Sequence, residues 1–411
     1  MSPTLKKILL IIGFSIVVAL IGAGLYLIFV KKPTTLPPGT TGTAGPGTTG
    51  QLPAAGERPT TLTTPGAGEI PGTLPTAATI PGEVPGFFQA EPVKQLTPEL
   101  ALFTSLNNQG TVRYQNPSDG KFYQITGDGS IRALSDQAFY DVSKVTWAKN
   151  KNQAVLEYPD NSKIIYNFES QKQVTLPKHW QEFSFAPEGS EIAAKSIALS
   201  PENRWLVTVK DDGTGTQLIE PLGNNAAKVT VDWSPSRQTV ALSQTGEPLG
   251  ADRREVLFVG LHGENFKSTV VEGTNLVSQW SPTGQRLLYS VVSQRNSFKP
   301  ELWVVDAYGD QIGGSRQALQ VNTWADKCAF GGENTLYCAI PQELPNGAGM
   351  AREISDGTPD DVYKIDLTTG LKTPLSLGNN SYHVGTISYD KTRNKVIFTD
   401  PNQAGIFEIN P

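Results

Sequence analysis

The sequence contains few of the residues from which metal sites and nucleophilic active sites are built. Its 411 residues include three histidines, two cysteines and two methionines. His179, His262 and His383 lie far apart, and no His-x-x-x-His or Cys-x-x-Cys spacing occurs, which argues against a zinc site. No Gly-x-Ser-x-Gly elbow singles out a serine nucleophile. We therefore assign no catalytic, cofactor-binding or metal-binding residue, and we expect no cofactor.

Positive charge is also scarce. The sequence has 34 Lys and Arg against 39 Asp and Glu, which gives a formal net charge of −5. Because proteins that bind nucleic acids present a basic face, this balance argues against nucleic acid as a partner. The composition does not indicate an oligomeric state.

Only one long stretch of the sequence is free of charge and strongly apolar. Ile8 to Val30 lies between the pairs Lys6-Lys7 and Lys31-Lys32, and a helix needs about 20 such residues to cross the core of a bilayer. The run is longer than the apolar core of a signal peptide, and a lysine pair closes it. We therefore predict a single-pass anchor in the cytoplasmic membrane over 1–32, with a cleaved signal peptide as the alternative.

A low-complexity segment follows the apolar run. Residues 33–92 are mainly Pro, Thr, Gly and Ala, a composition that buries too little apolar surface to offset the entropy of ordering. We predict a disordered linker here. Thr/Pro-rich stalks beside a membrane are typical of surface spacers. The remaining domain, 93–411, is therefore expected outside the cytoplasmic membrane, in the cell envelope.

A short phrase recurs through 93–411: an aromatic residue, a Ser-Pro-like turn, and then a β-branched or apolar run. The clear copies begin at Trp233-Ser234-Pro235 and Trp280-Ser281-Pro282. Weaker copies begin at the aromatic positions 147, 185, 330 and 389, so the copies are spaced by 38 to 59 residues. Such a period, with strands and turns only, is typical of a β-propeller.

The number of blades depends on the two ends of the domain. The C-terminus offers only three strands, and Val93 to Thr97 has the character of the missing outer strand. If Leu100 to Thr104 is the inner strand of a first blade, the ring has seven blades and closes by joining both ends of the polypeptide. If Leu100 to Thr104 is not a strand, six blades are the alternative.

The two cysteines flank one hairpin turn of this pattern. Cys328 and Cys338 lie on either side of Gly331-Gly332-Glu333-Asn334, and a loop centred near Glu333 would place them opposite each other on adjacent strands. We expect a cross-strand disulfide, since an envelope compartment is not strongly reducing. The alternative is a pair of small buried apolar side chains.

The clear copies of the phrase resemble the Trp-Ser-Pro-Asp-Gly turn of TolB-like and WD40-like propeller repeats in bacterial proteins. The layout of the whole sequence is similar to that of uncharacterised, membrane-anchored propeller proteins of candidate-phylum bacteria. The resemblance covers roughly 93–411 and implies the fold, but it transfers no catalytic residue because the motif carries none. The sequence lacks the separate globular N-terminal domain of TolB, so the partnership of TolB with an outer-membrane lipoprotein is not implied.

One face of the predicted ring is more elaborate than the other. With strands A to D running from the centre outwards, the B–C and D–A connections share one face, and the predicted B–C connections of four blades are long. Because Arg and aromatic residues are enriched at interface hot spots, we regard those on this face as candidate binding residues. They are Arg253, Arg254, Arg295, Phe298, Lys299, Arg352, Trp180 and Trp324.

These observations predict a membrane-tethered, non-enzymatic binding or scaffold module that presents this face to a protein or glycan partner. The alternative is a cell-envelope hydrolase or lyase with an active site at the channel of the propeller, because fold alone does not decide function.

Overall fold

The computed structural model describes residues 92–250 and 252–411. The membrane anchor predicted over Ile8–Val30 and the predicted linker lie outside the described residues. Within them, no helix is long and apolar enough to span a membrane.

The described residues form seven four-stranded antiparallel sheets. The domain is a seven-bladed β-propeller. Blade one comprises β2 (Leu102–Leu106), β3 (Val112–Gln115), β4 (Phe122–Ile125) and β5 (Ile131–Ala133). Blade two comprises β6 (Lys144–Trp147), β7 (Gln153–Glu157), β8 (Lys163–Asn167) and β9 (Lys172–Leu176). Blade three comprises β10 (Trp180–Phe185), β11 (Glu191–Ser196), β12 (Trp205–Lys210) and β13 (Gln217–Pro221).

Blade four comprises β14 (Val229–Val231), β15 (Ala241–Ser243), β16 (Arg254–Val259) and β17 (Thr269–Val271). Blade five comprises β18 (Thr274–Trp280), β19 (Arg286–Val292), β20 (Pro300–Asp306) and β21 (Gln317–Ala318). Blade six comprises β22 (Cys328–Gly332), β23 (Thr335–Pro341), β24 (Asp360–Asp366) and β25 (Lys372–Pro374). Short 3-10 helices occupy connections at Pro201–Asn203, Gly223–Lys228, Gln294–Asn296, Gly309–Gln311, Ala325–Lys327 and Arg352–Ser355.

Blade seven joins the two ends of the domain, as predicted. Its strands are β26 (Thr386–Asp390), β27 (Lys395–Asp400), β28 (Gln403–Ile409) and, outermost, β1 (Val93–Thr97). Val93 pairs with Ile409 in antiparallel register. Lys94 Nζ also lies 3.5 Å from the carboxylate of Glu408, which is buried.

The recurring tryptophans join neighbouring blades. Trp280 donates its indole N–H to the carbonyl of Asp232 on the inner side of blade four, at 3.2 Å, and Trp147 donates to the carbonyl of Phe103 in blade one, at 2.9 Å. Buried indoles combine a large apolar surface with one donor that needs a partner. The aromatic position of the repeat therefore forms a wedge between blades.

The Ser-Pro turn ends in a glycine for a steric reason. Gly284 has φ +74°, and a Cβ there would lie 2.6 Å from the backbone nitrogen of Ser236 in the corresponding turn of blade four. A larger residue would clash as well as adopt a disfavoured backbone conformation. Successive A–B turns thus pack directly against each other.

The disulfide position follows from the register of blade six. Cys328 on β22 lies opposite Cys338 on β23, both side chains are buried, and the two residues form a disulfide with their Cα atoms 4.0 Å apart.

Three inner strands contain a bulge that the alternating sequence pattern did not predict. Phe103, Glu182 and Asn275 have φ between +51° and +53°, and the register of their strands shifts at these places. A non-glycine residue in this region is uncommon. In blade one, the bulge accompanies an inner strand at Leu102–Leu106 rather than at the predicted 100–104.

Candidate binding face

Four long connections lie on one face of the propeller. They join β11 to β12 (197–204), β15 to β16 (244–253), β19 to β20 (293–299) and β23 to β24 (342–359). Because the strands of a blade alternate in direction, these B–C connections share a face with the D–A connections. We call this the long-loop face. The other three blades have B–C connections of at most six residues, at 116–121, 158–162 and 401–402.

The structure corrects the position of three candidate residues. Trp180 begins β10 and Trp324 precedes a 3-10 helix, and both are only 5% exposed. Trp180 packs in the hydrophobic cluster between blades two and three, and the buried Trp324 does not form a contact surface either. Arg254 is the first residue of β16, opposite Val271, and is not in the loop.

Trp324 still contributes to the face indirectly, by supporting Arg352. The guanidinium carbon of Arg352 lies 4.7 Å from the centre of the Trp324 ring, and its Nη1 lies 2.6 Å from Oδ2 of Asp326. A cation over an aromatic face and a carboxylate in contact both restrict the arginine. Arg352 is therefore a fixed side chain at the base of the blade-six loop.

Arg253 and Arg295 meet at a residue that the sequence argument missed. Glu272 follows β17, and its carboxylate contacts Arg253 Nε at 3.4 Å, Arg295 Nη2 at 2.6 Å and Arg316 Nη2 at 3.1 Å. Arg316 also donates to the carbonyl of Val270. The three arginines come from blades four and five, so this cluster joins the two blades at their outer edge.

The electrostatics of the cluster favour the charged carboxylate. Burial alone would raise the pKa of Glu272, but its hydrogen bond from Arg295 and the charges of Arg316, Arg253 and Arg295 outweigh burial and lower the pKa below 4.5. Arg316 lies with its guanidinium carbon 5.5 Å from the ring centre of Trp303. Arg316 is the most shielded of the three arginines, since its side chain is 26% exposed.

The loop of blade six lies across the loop of blade five. The amides of Gly347 and Gly349 donate to the carbonyls of Ser297 and Phe298, at 2.9 and 2.8 Å. A Cβ on Gly349 would lie 2.5 Å from the Val292 side chain, so only glycine permits this close approach. Two of the four long loops therefore form one packed unit.

Lys299 lines a polar depression between these two loops. It is half-buried, and the other lining residues are Asn322, Pro341, Gln342, Glu343 and Leu344. Lysine, amide and carboxylate groups around an open depression are suited to a hydrated polar contact rather than to a desolvated apolar ligand.

Large apolar side chains are exposed on each of the four long loops. Leu199 is 99% exposed, Leu249 46%, Phe298 44%, and the blade-six loop adds Met350 at 56% and Ile354 at 50%. Single exposed apolar residues are ordinary, and here every long loop carries at least one, which makes the long-loop face the candidate interaction surface. Of the aromatic residues predicted for this face, only Phe298 is exposed.

One carboxyl at the end of an inner strand has a strongly raised pKa. Asp232 follows β14, an inner strand, and burial raises its pKa to about 7 despite the opposing charge of Lys149 and a contact with Trp280. Among residues 92–250 and 252–411, no group of three His, Cys, Asp or Glu residues is placed to hold a metal ion. The alternative of an envelope hydrolase or lyase stays a prediction.

Comparisons with known proteins identify the fold and no family. No protein-family model matches the sequence, and no curated protein is similar to it in sequence. The β-propeller domain of Cps50 (Swd1) from Myceliophteria thermophila is similar in structure, with a TM-score of 0.53 and 11% identity over 77% of this protein and 98% of that one.

Two enzymes are similar at a lower level. Oligogalacturonate lyase from Vibrio parahaemolyticus has a TM-score of 0.49 and 10% identity, over 77% of this protein and 93% of that one. The tricorn protease has a TM-score of 0.47 and 11% identity, over 78% of this protein and 34% of that one. We draw no conclusion about the activity of this protein from either similarity.

Proposed function

We propose that this protein is a binding module of the cell envelope, in which the long-loop face of a membrane-tethered propeller binds a protein partner. One observation carries the proposal: each of the four long loops exposes at least one large apolar side chain. Apolar and aromatic residues at the centre of a protein interface supply most of its binding energy.

The rigidity of the face supports this function. Phe298 and Met350 lie on loops joined by the backbone hydrogen bonds of Gly347 and Gly349, and Asn275 donates to the carbonyl of Gly349 at 3.2 Å. Loops that are already ordered lose less conformational entropy on binding. The exposed apolar residues are therefore held in place before a partner arrives.

The charge of the loops favours a protein over an anionic membrane or a nucleic acid. The four loops together carry five Lys or Arg and six Asp or Glu. Binding to lipid headgroups or to a phosphate backbone needs an excess of basic residues. A nearly neutral face with apolar tips is suited to another folded protein or an extended peptide.

The test is photocrosslinking in the native envelope with the full-length protein. A photoreactive residue at Ser297 should give a specific adduct, and replacing Leu199, Phe298, Met350 and Ile354 by Ser should reduce that adduct at least ten-fold. The matched control replaces Tyr308 and Leu371, which are 50% and 64% exposed on C–D connections of the opposite face. An adduct that survives the loop variant, or disappears equally in the control, contradicts the proposal.

A further inference from the structure

The cluster at Glu272 contains more positive charge than its own carboxylate neutralises. Three arginines contact one Glu272 carboxylate. Three cations against one anion leave the cluster with a net positive charge at the junction of blades four and five.

The three arginines are not equivalent. Arg316 uses both terminal nitrogens, one on the Val270 carbonyl and one on Glu272, and it packs against Trp303. Its role is to hold Glu272 and join the blades. Arg253 contacts Glu272 through Nε at 3.4 Å and Arg295 does so through Nη2 at 2.6 Å, and their side chains are 49% and 64% exposed.

Arg253 and Arg295 therefore keep donors that face solvent. A guanidinium has five N–H donors, and within residues 92–250 and 252–411 the contacts of Arg253 and Arg295 occupy one nitrogen each. Arg253 contacts Oε1 and Arg295 contacts Oε2 of the same carboxylate. The buried Glu272 carboxylate thus contacts one guanidinium group at each of its two oxygens, and both groups keep unused N–H donors.

We propose that Arg253 and Arg295 form a binding subsite for a carboxylate of the protein partner, supplied by an aspartate, a glutamate or a free carboxyl terminus. The subsite proposal rests on the proposed function, because the carboxylate is taken to belong to the protein that binds the long-loop face. Arginine and carboxylate form paired, charge-assisted hydrogen bonds, and the two arginines are already oriented, so little side-chain entropy is lost. Phe298, three residues after Arg295, would contact the apolar part of the same partner.

The choice of a carboxylate over a phosphate group follows from the proposed partner. Aspartate, glutamate and the carboxyl terminus are the anions that an unmodified protein supplies, and an arginine pair can bind any of them through charge-assisted hydrogen bonds. Acetate and inorganic phosphate serve as the two probes that distinguish these anions.

The subsite can be tested without knowing the partner. Full-length protein labelled with ¹⁵N-arginine is titrated at pH 7 and constant ionic strength with sodium acetate and, separately, with inorganic phosphate, while the arginine Nε–H resonances are followed. Assignment uses the single variants Arg253→Gln and Arg295→Gln. Acetate should produce saturable shifts at Arg253 and Arg295, with weaker shifts for phosphate at equal concentration.

Arg237 provides the matched control. Its side chain is 51% exposed on the opposite face, and it contacts two carboxylates, Glu188 at 3.1 Å and Glu191 at 3.9 Å, so it has no excess charge to offer. Its resonance should not saturate. In Arg295→Gln, the acetate affinity reported by Arg253 should fall at least five-fold. Linear shifts at all three arginines, or tighter binding of phosphate, would overturn the proposal.

A second arm separates this subsite from the function on which it rests. In the crosslinking assay, the double variant Arg253→Gln/Arg295→Gln should reduce the adduct at least five-fold while the apolar residues are intact. If the double variant leaves the adduct unchanged while the loop variant reduces it, the partner binds the face without using the subsite, and the inference is wrong. If acetate binds but the loop variant leaves the adduct unchanged, the proposed function is wrong and only the anion site remains.

Discussion

At the scale of single residues, the most demanding feature is a buried ion pair in blade six. Lys327 and Asp360 are 3% and 1% exposed, and Lys327 Nζ contacts both carboxylate oxygens at 2.8 Å. Asp360 also accepts the amide of Val384 at 2.7 Å. Burial lowers the pKa of Lys327 even though Asp360 opposes the shift. A charged side chain is stable in the interior only when a counter-charge and hydrogen bonds compensate it, and Asp360 supplies both to Lys327.

Removing one member of this pair should be costly. We expect Asp360→Asn to lower the free energy of unfolding by about 3–5 kcal/mol, because Lys327 is left buried without a counter-charge. Urea denaturation gives the value. The control is Asp160→Asn, whose partner Lys178 lies at 3.0 Å with both side chains more than 60% exposed, and which should change stability far less than Asp360→Asn because solvent screens an exposed ion pair. Equal effects would show that burial is not the cause.

The ion pairs of Glu272 should make the stability of the fold depend on pH. Its pKa is lowered in the folded protein, so its ion pairs stabilise the fold above the ordinary pKa of 4.5 and lose this contribution as the pH falls through the folded value. We expect the stability difference between the wild type and Glu272→Gln to be greatest near pH 6–7 and to shrink below about pH 4.5. Urea midpoints measured from pH 3 to 7 test this, and a pH-independent difference would contradict it.

At the scale of elements, periodicity predicts which strands exist better than it predicts where they bend. The aromatic phrase repeats because each blade needs a wedge such as Trp280, so the sequence predicted a propeller with seven blades and left six as the alternative, and the structure has seven. The bulges at Phe103, Glu182 and Asn275 were not predicted, because φ values near +50° are uncommon for non-glycine residues and no local pattern indicates them.

The binding face was predictable in outline and not in detail. Loop length placed Arg253, Arg295 and Phe298 on one face, but Trp180 and Trp324 are buried because a position near a connection does not fix the direction of a side chain. Glu272 had a signal that was overlooked. It stands in a two-residue D–A connection, Glu272-Gly273, between β17 and β18, which places it on the same face as the B–C loops but does not by itself pair it with the arginines.

The hairpin of blade six should depend on its disulfide. Cys328 and Cys338 are separated by 10 residues, and the chain-entropy estimate for a loop of this size is about 2–3 kcal/mol. We expect the variant Cys328→Ala/Cys338→Ala to be less stable than the oxidised wild type by about this amount in urea denaturation. Reductant should lower the midpoint of the wild type and leave the variant unchanged; a reductant-insensitive wild type would refute the prediction.

At the scale of the whole molecule, one five-residue strand completes the blade at which the ring closes. β1 covers the outer edge of β28, and its contacts include the pairing of Val93 with Ile409 and the contact of Lys94 with Glu408. An uncovered edge of a sheet is a template for pairing with other proteins. The same few residues therefore complete blade seven and cover its outer edge.

Deleting 93–97 should consequently cause self-association. We expect the deletion variant to elute as oligomers or aggregates in size-exclusion chromatography with light scattering, and to melt at a lower temperature, because β28 is left unpaired. The control is a deletion of equal length at 60–64, in the predicted linker, which should behave as the wild type. A soluble deletion variant with the oligomeric state and melting temperature of the control would show that β1 is dispensable.

The position of β1 also governs the order of events during biosynthesis. Gln95 donates to the carbonyl of Ala404, a residue 309 positions later in the sequence. At ordinary translation rates of about 5–20 residues per second, the first strand of the propeller waits roughly 15–60 s before its partner has been made. For that interval an extended segment is exposed to neighbouring nascent polypeptides and to proteases. A ring closed by the two ends of the propeller domain thus gains its last strand pairing only after β28 has been synthesised.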